Sequence, residues 1–264
     1  TSGNSIQIAK TETTPWGATG VQSYWRQEAG TMNQSKPALE YSDIRLNELY
    51  TFVAASDELL SDAPRLQNLL TTKAGQAINY KLLDSVVNGD GTGKPLGYQN
   101  AGSLVTVAKE SGQAAATLVA ANVAKMYSRC LNPSQAVWRV NQDVLPQLLT
   151  MTLGDQPIWT PPASGFANAP GGFLFGRPVQ FSEPNSTLGT VGDIALVNPN
   201  GYAFVTKQGG GIDFQSSIHL WFDQGTTAFR WTFRAGGQPY LAAPVSPAKG
   251  SATRSHFVAL ATRA

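Results

Sequence analysis

Apolar residues recur at helical spacing through SDELLSDAPRLQNLLTTKAGQAINYKLLDSVVNG. Leu66, Leu70, Ala74, Ala77, Ile78, Leu82 and Val86 fall on one face of a 3.6-residue repeat. Ser61 or Asp62 can cap such a helix, and Pro64 suits its first turn, where a missing N–H costs nothing. Pro64 to Val87 would make a rod of roughly 36 Å, stopped by Gly89. Upstream, Val21 to Ala55 reads as two β-like stretches around a polar tip, Ala29 to Pro37. Tyr24 and Trp25 lie on the first stretch, and Ile44, Leu46, Tyr50 and Phe52 on the second. This predicts a long hairpin with too few apolar residues for a core of its own. Residues 1–20 are rich in Thr, Ser and Gly and read as an extended arm.

After Gly97 the signal alternates. Leu104, Val105 and Val107 predict a short strand, Ala114–Leu131 a helix, Ala136–Asn141 a strand and Gln142–Met151 a helix with Pro146 in its first turns. Gly154–Gly172 reads as loop. Strand-like runs follow at Phe173–Phe175, Pro178–Phe181, Ile194–Val197, Tyr202–Thr206, Ile218–Phe222, Thr226–Arg234 and His256–Ala261. The fold class is α+β with one dominant helix and no internal repeat.

The stretch NGDGTGKPLG, Asn88 to Gly97, raises the question of a ligand loop. A phosphate-binding P-loop would need glycine at Asn88 and a hydroxyl residue at Pro95, and both fail. The dinucleotide fingerprint fails at Lys94 and at Leu96. A calcium loop built on Asn88, Asp90 and Thr92 would end at Gln99 instead of a bidentate glutamate. The remaining reading is a helix exit whose Gly89, Gly91, Gly93 and Gly97 serve the geometry of a tight turn.

At 264 residues the chain can bury a substantial core in one large domain or two. A net charge of +2 gives no strong sign of nucleic-acid binding. Charged residues make up 14% of the chain, against about a quarter in ordinary globular domains. A subunit covered by neighbours has this composition, and so do Gly/Ser/Thr-rich β-proteins. The single cysteine, Cys130, excludes an internal disulfide framework and fits a small buried hydrophobe in a reducing compartment. No apolar run approaches the length of a membrane span, and no signal peptide is visible. The chain begins at Thr1 without methionine, so an upstream segment is expected to have been removed or left out.

Catalytic chemistry is not indicated. His219 and His256 sit in strand-like segments without HExxH or a partner cysteine. Ala163-Ser164-Gly165 lacks the first glycine of a nucleophile elbow. Asp57-Glu58 point apart on a helix and suit its positive end. The six tryptophans, Trp16, Trp25, Trp138, Trp159, Trp221 and Trp231, are spread along the chain as core and interface anchors. No enzyme activity, catalytic residue, metal or cofactor is expected.

Together, SDELLSDAPRLQNLL with the helix that follows, NGDGTGKPLG, FGRPVQFSE, GDIALVNP and AFRWTFRAGGQPYLAAP resemble, in this order, tailed-bacteriophage major capsid proteins of the Hong Kong 97-type fold. The resemblance runs from Val21 to Leu260. It implies an N-terminal arm (1–20), an extended loop over a neighbouring subunit (21–55), a peripheral domain with the spine helix (56–116 and 216–242), an axial domain (117–215) and a C-terminal segment (243–264) of open placement. It also implies a shell protein that assembles in the bacterial host cytoplasm, as pentamers and hexamers, into a virion head. Its partners would be copies of itself, packaged double-stranded DNA held without sequence reading, and decoration, portal and scaffolding proteins, with no membrane. An encapsulin-type nanocompartment shares the implied fold and differs in cargo, and a secreted β-rich binding or hydrolytic domain is the reading from another class. Candidate subunit contacts on the extended loop are Trp25, Met32, Gln34 and Lys36. Some members of that family weld subunits through a loop lysine, a peripheral asparagine and a glutamate. Here Lys36 has the loop position, but no asparagine follows Asn200 and no glutamate follows Glu183. Asp213 and Asp223 are poor acyl donors, so no isopeptide bond is expected.

Overall fold

The computed structural model describes residues 3–62, 66–153, 155–160 and 171–263. In chain order these form β1 (Ser5–Lys10), β2 (Glu40–Arg45), β3 (Asn47–Ser56), α1 (Asp57–Asp62), α2 (Leu66–Asn88), β4 (Val105–Val107), α3 (Ala120–Arg129), β5 (Val137–Val140) and α4 (Leu145–Thr150). Then come β6 (Thr152–Leu153), β7 (Gln156–Pro157), β8 (Trp159–Thr160), β9 (Phe173–Leu174), β10 (Arg177–Phe181), β11 (Ile194–Val197), β12 (Tyr202–Thr206), β13 (Asp213–Trp221), β14 (Thr226–Pro239) and β15 (Phe257–Leu260). The content is α+β. The chain divides into two compact units: residues 1–7, 43–97 and 204–238, and residues 8–42, 98–203 and 239–264.

The first unit is one helix on one sheet. β14 is the central strand, paired antiparallel with β3 from Thr226↔Ser56 to Ala235↔Asn47 and with β13 from Asp213↔Thr232 to Trp221↔Thr226. β3 alternates strictly, with its odd-numbered residues turned inward, as a half-buried strand requires. Its Ala55 joins Phe229 and Trp231 of β14 and Ala74 and Ile78 of α2 in a small core, with Leu49, Val53, Leu70 and Phe233 at its margin. The helix face expected from the sequence is therefore narrower than its spacing suggests. Ala77 is exposed, and Leu69, Tyr80 and Leu83 are large apolar residues on the solvent side of α2.

The second unit is built on a seven-stranded mixed sheet in the order β4-β15-β11-β5-β10-β9-β8. β11 and β15 are buried at every residue, so they read as unbroken apolar runs, the signature of strands covered on both faces. Val123 and Met126 of α3 and Leu148 of α4 cover the sheet's Trp138, Val140, Leu196 and Leu260. Trp138 Nε1 donates to the Leu174 carbonyl at 2.9 Å, which satisfies its one polar atom inside the core. The C-terminal segment, without a place in the sequence reading, supplies β15 between β4 and β11.

Several expectations change. Val21–Ala55 is not a two-stranded hairpin: residues 21–39 carry no strand or helix, β2 pairs with β1, and β3 pairs with β14. The first stretch has no alternating face to bury, whereas β3 has one and is drawn into the core sheet. The helix expected from Ala114 starts at Ala120, because Ala116 takes a left-handed φ of 51° and Asn122 Oδ1 accepts from the Val119 amide at 3.2 Å. The strands expected at Ile218–Phe222 and Thr226–Arg234 extend to Asp213 and Pro239. Pro64, Ala163-Ser164-Gly165 and most of the Gly154–Gly172 stretch lie outside the described residues, and the described part of that stretch, expected as loop, carries β7 and β8.

The chain's end is locked by a buried ion pair. Arg263 and Asp193 are fully buried, and the guanidinium spans both carboxylate oxygens, with Nη1 to Oδ1 at 3.3 Å. Asp193 also accepts from the amides of Gly189 and Ile194 at 2.9 and 2.8 Å. The Arg263 backbone bonds Gly189 and Ala116. Removing one partner strands a buried charge, which costs about 3–5 kcal/mol. Arg263→Met should therefore lower the denaturant midpoint sharply, while Arg254→Met, at an exposed position, should not. Equal midpoints for the two variants would contradict this role.

Candidate subunit-interface surfaces

The glycine turn proves to be backbone architecture. Gly91 and Gly93 adopt φ of +80° and +66°, conformations costly for residues with a Cβ. Gly89 and Gly97 do something different from the φ role expected of them: they let two backbone segments touch. A Cβ on Gly89 would strike the Pro95 carbonyl, and one on Gly97 would strike the Val87 carbonyl and the Gly89 amide. Gly97 N donates to Gly89 O at 2.9 Å, and Leu96 N to Gly237 O at 2.8 Å, which ties the turn to β14. Asp90 Oδ1 accepts from the Thr92 amide at 2.9 Å, and Lys94 Nζ lies 3.4 Å from Asp90. The Thr92 amide, followed by Lys94, holds the Asp90 carboxyl below its usual range. Lys94 thus pairs within its own loop, at an exposed position where such a pair adds little stability.

Cys130 is buried, and burial pushes its thiol up to about 12, so it carries no thiolate near neutrality. His219 is exposed on β13, and burial lowers the pKa of His256. Among the described residues no group of three or more His, Cys, Asp or Glu could hold a metal ion, and no helix is long and apolar enough to cross a membrane.

What stands out is where large apolar side chains meet solvent. One concentration is the segment 16–41, with Trp16, Val21, Tyr24, Trp25, Met32, Leu39 and Tyr41 exposed. Trp25 is fully exposed. Met32, Gln34 and Lys36 are exposed as well, so all four contact candidates lie on the outside. Within the segment, Ser35 Oγ accepts from the Gln22 amide at 3.1 Å and donates to its carbonyl at 3.3 Å. The preceding arm is fastened to residues 240–246, where Glu12 accepts from the Ala242 amide at 2.8 Å and Trp16 Nε1 donates to Ser246 O at 2.9 Å.

The second concentration, unrecognised from the sequence, is the end of the β13–β14 hairpin. Ile218, Leu220 and Phe222 are exposed, the last at 76%. The run IHLWF was its signal: apolar Leu220, Trp221 and Phe222 follow one another beside a turn, so they cannot all share one buried face. Trp221 packs on Phe52 with ring centroids 5.9 Å apart. Asp57 lies at the same end, its amide donating to Gly225 O at 2.9 Å and its carboxylate accepting from Thr227 Oγ1 at 2.7 Å. Large apolar side chains grouped at solvent mark a binding face.

A fold of this kind has known counterparts. The capsid of a native GTA particle, computed with C5 symmetry, superposes with a TM-score of 0.74 at 18% identity over 99% of this chain and 86% of that one. A chain of Mycobacterium phage Bobi gives 0.66 at 15% identity over 99% and 86%. One of Gordonia phage Cozz gives 0.64 at 10% identity over 100% and 82%. Comparison with curated proteins finds no match. The phage capsid family model matches residues 1–250. The chain therefore belongs to the phage capsid family and is a structural major capsid protein.

The geometry of the glycine turn gives a direct test. Gly93→Val should cost about 1–3 kcal/mol from backbone strain alone, since open space surrounds that Cβ. Gly89→Val should cost more, because two backbone segments must part. Lys94→Ala should leave the denaturation curve unchanged. Tight ATP binding that vanishes in Lys94→Ala would instead show that the loop is a nucleotide site.

Proposed function

We propose that this chain polymerises into pentamers and hexamers of a closed icosahedral shell that encloses phage double-stranded DNA. The observation that carries the reading is the exposed apolar segment 16–41, which has neither regular structure from residue 21 to 39 nor a core of its own. Large side chains in that setting gain burial only on another subunit, and head-to-tail contacts that close supply it. The scarcity of charge fits, since interface cores are depleted of charge.

In this reading the fold is of the Hong Kong 97 type and α2 is its spine helix. The first compact unit corresponds to the peripheral domain and the second contains the axial domain. Residues 1–20 act as the arm, and residues 21–55 as the extended loop that reaches a neighbour. The GTA capsid was computed with C5 symmetry, which supports a ring of five as one arrangement of this fold. Scattered Lys and Arg on the inner wall meet phosphate without reading bases. Scaffolding, portal and decoration proteins complete the particle, which is assembled in the host cytoplasm and ends as the virion capsid.

Deleting Ala29–Pro37 should leave a subunit with an unchanged melting curve that no longer forms shells. Normal shell yields from the deletion would remove the loop from assembly. A second outcome follows from Lys36, which has no asparagine or glutamate partner in the C-terminal quarter of the chain. Mature shells boiled in detergent should run as one monomer band. A ladder of higher bands that disappears in Lys36→Ala would mean that a covalent weld exists after all.

A further inference from the structure

We infer that the cleft beside the Gly209–Gly211 loop holds backbone phosphates of the packaged duplex, with Lys207 and Arg230 as the contacting cations. The inference rests on the shell reading and names the surface through which the shell meets its DNA.

The cleft lies wholly within the helix-and-sheet unit. Phe229, Trp231 and Phe233 of β14 pack toward α2, so Arg230, Thr232 and Arg234 stand on the opposite face of the sheet. Ladder register brings Glu48 of β3 beside Arg234, Gln215 of β13 beside Arg230 and Asp213 beside Thr232. The loop from Lys207 to Ile212 closes one side, and the cleft measures about 590 Å³.

Its cations are not equivalent. Arg234 is paired with Glu48, its Nε and Nη2 both reaching Oε2, at 3.0 and 2.8 Å. Arg230 instead donates through Nη2 to the neutral Gln215 Oε1, while Gln215 Nε2 donates to Asp213 Oδ2 at 3.2 Å. The amide thus holds the guanidinium in place without cancelling its charge. Lys207 is exposed and, like Arg230, forms no ion pair among the described residues. Its backbone amide donates to the Arg234 carbonyl at 3.4 Å, which keeps it beside the strand. Lys207 and Arg230 therefore line one opening, opposed there by the carboxylate of Asp213.

Two features select the ligand. Among the described residues Ile212 is the only apolar side chain lining the cleft, so a protein partner finds no socket for an aromatic or aliphatic anchor. A polar anion fits instead. The glycines point the same way. Gly209 needs its φ of +74°, and a Cβ on Gly210 would lie 2.7 Å from the Lys207 carbonyl oxygen. Gly211 has neither reason: its φ is not positive, and a Cβ there would meet nothing within 4 Å. A bare backbone that the fold does not require suits close approach by a bulky sugar-phosphate chain. Two cations hold a duplex weakly at each subunit. Repeated around a closed shell, they retain it and still let it slide.

The test measures binding of a short fluorescein-labelled duplex to full-length subunits by anisotropy at rising salt. Lys207→Ala combined with Arg230→Gln should flatten the slope of log affinity against log salt by about 2. If that double variant melts early, Lys207→Ala alone should remove about 1. Asp213→Asn should tighten binding, which the loss of a merely structural group would not do. Lys73→Ala, exposed on α2 at the other side of the sheet, should change neither quantity. Inorganic phosphate should compete only through ionic strength. Competition at micromolar phosphate would make the cleft a discrete phosphate site and overturn the duplex assignment. In DNA-filled particles, an amine reagent carried on a large dextran should leave Lys207 unmodified, and labelling there would overturn the inference. So would an unchanged salt slope in the altered chains, or no duplex binding by the unaltered chain at low salt. Each of these leaves the shell reading intact. That reading falls separately, and this inference with it, if the unaltered chain forms no closed particles in electron micrographs.

Discussion

The structure depends on a shortage of buried apolar contact in the unit formed by α2 and its sheet. Among the described residues that core is Ala55, Ala74, Ile78, Phe229 and Trp231, two of them alanines. A long helix touching a sheet through so few large side chains leaves Leu69, Tyr80 and Leu83 on one side and the β13 edge on the other in water. A thin element of this kind gains most of its stability when neighbours cover it. The seven-stranded unit is the opposite case, with a fully buried centre and an ion pair, Asp193–Arg263, sealing the end of the chain.

This contrast gives the two units different work. The seven-stranded unit can hold its form alone, because β11 and β15 are enclosed and their register is set by the whole sheet. The helix-and-sheet unit presents surfaces that are useful only in company. Segment 16–41 adds aromatic side chains on a backbone fastened at the arm by Glu12 and Trp16 and bridged by Ser35. A rigid unit, a thin unit and an extended segment form a natural division of labour for a curved shell, where subunits must keep their fold while their contacts adapt.

Much of this was legible in the sequence, and the gaps have physical causes. The long helix and its Gly89 exit followed from spacing, and Ile194–Val197 and Tyr202–Thr206 were found to the residue because apolar runs bounded by turns are unambiguous. The hairpin at Val21–Ala55 was misread because strand propensity says nothing of partners: β3 went to β14, which lies far along the chain. Ala114–Val119 was read as helix because alanine favours helix, while the left-handed Ala116 and the Asn122 side chain set a later start. The exposed tip at Ile218–Phe222 was missed as a site because an apolar strand reads as core until its position at a sheet edge is known. Met32, Gln34 and Lys36 sit in the polar tip and Trp25 on the stretch read as strand-like, and sequence alone names no surface for them to meet.

The central claim is that this subunit completes its burial by closing into a shell. Electron micrographs of the purified full-length protein test it most directly. The account predicts closed particles of uniform diameter, with rings of five and six subunits resolved in class averages. A monodisperse monomer, stable and soluble at high concentration with segment 16–41 and the β13 edge still exposed, would contradict it.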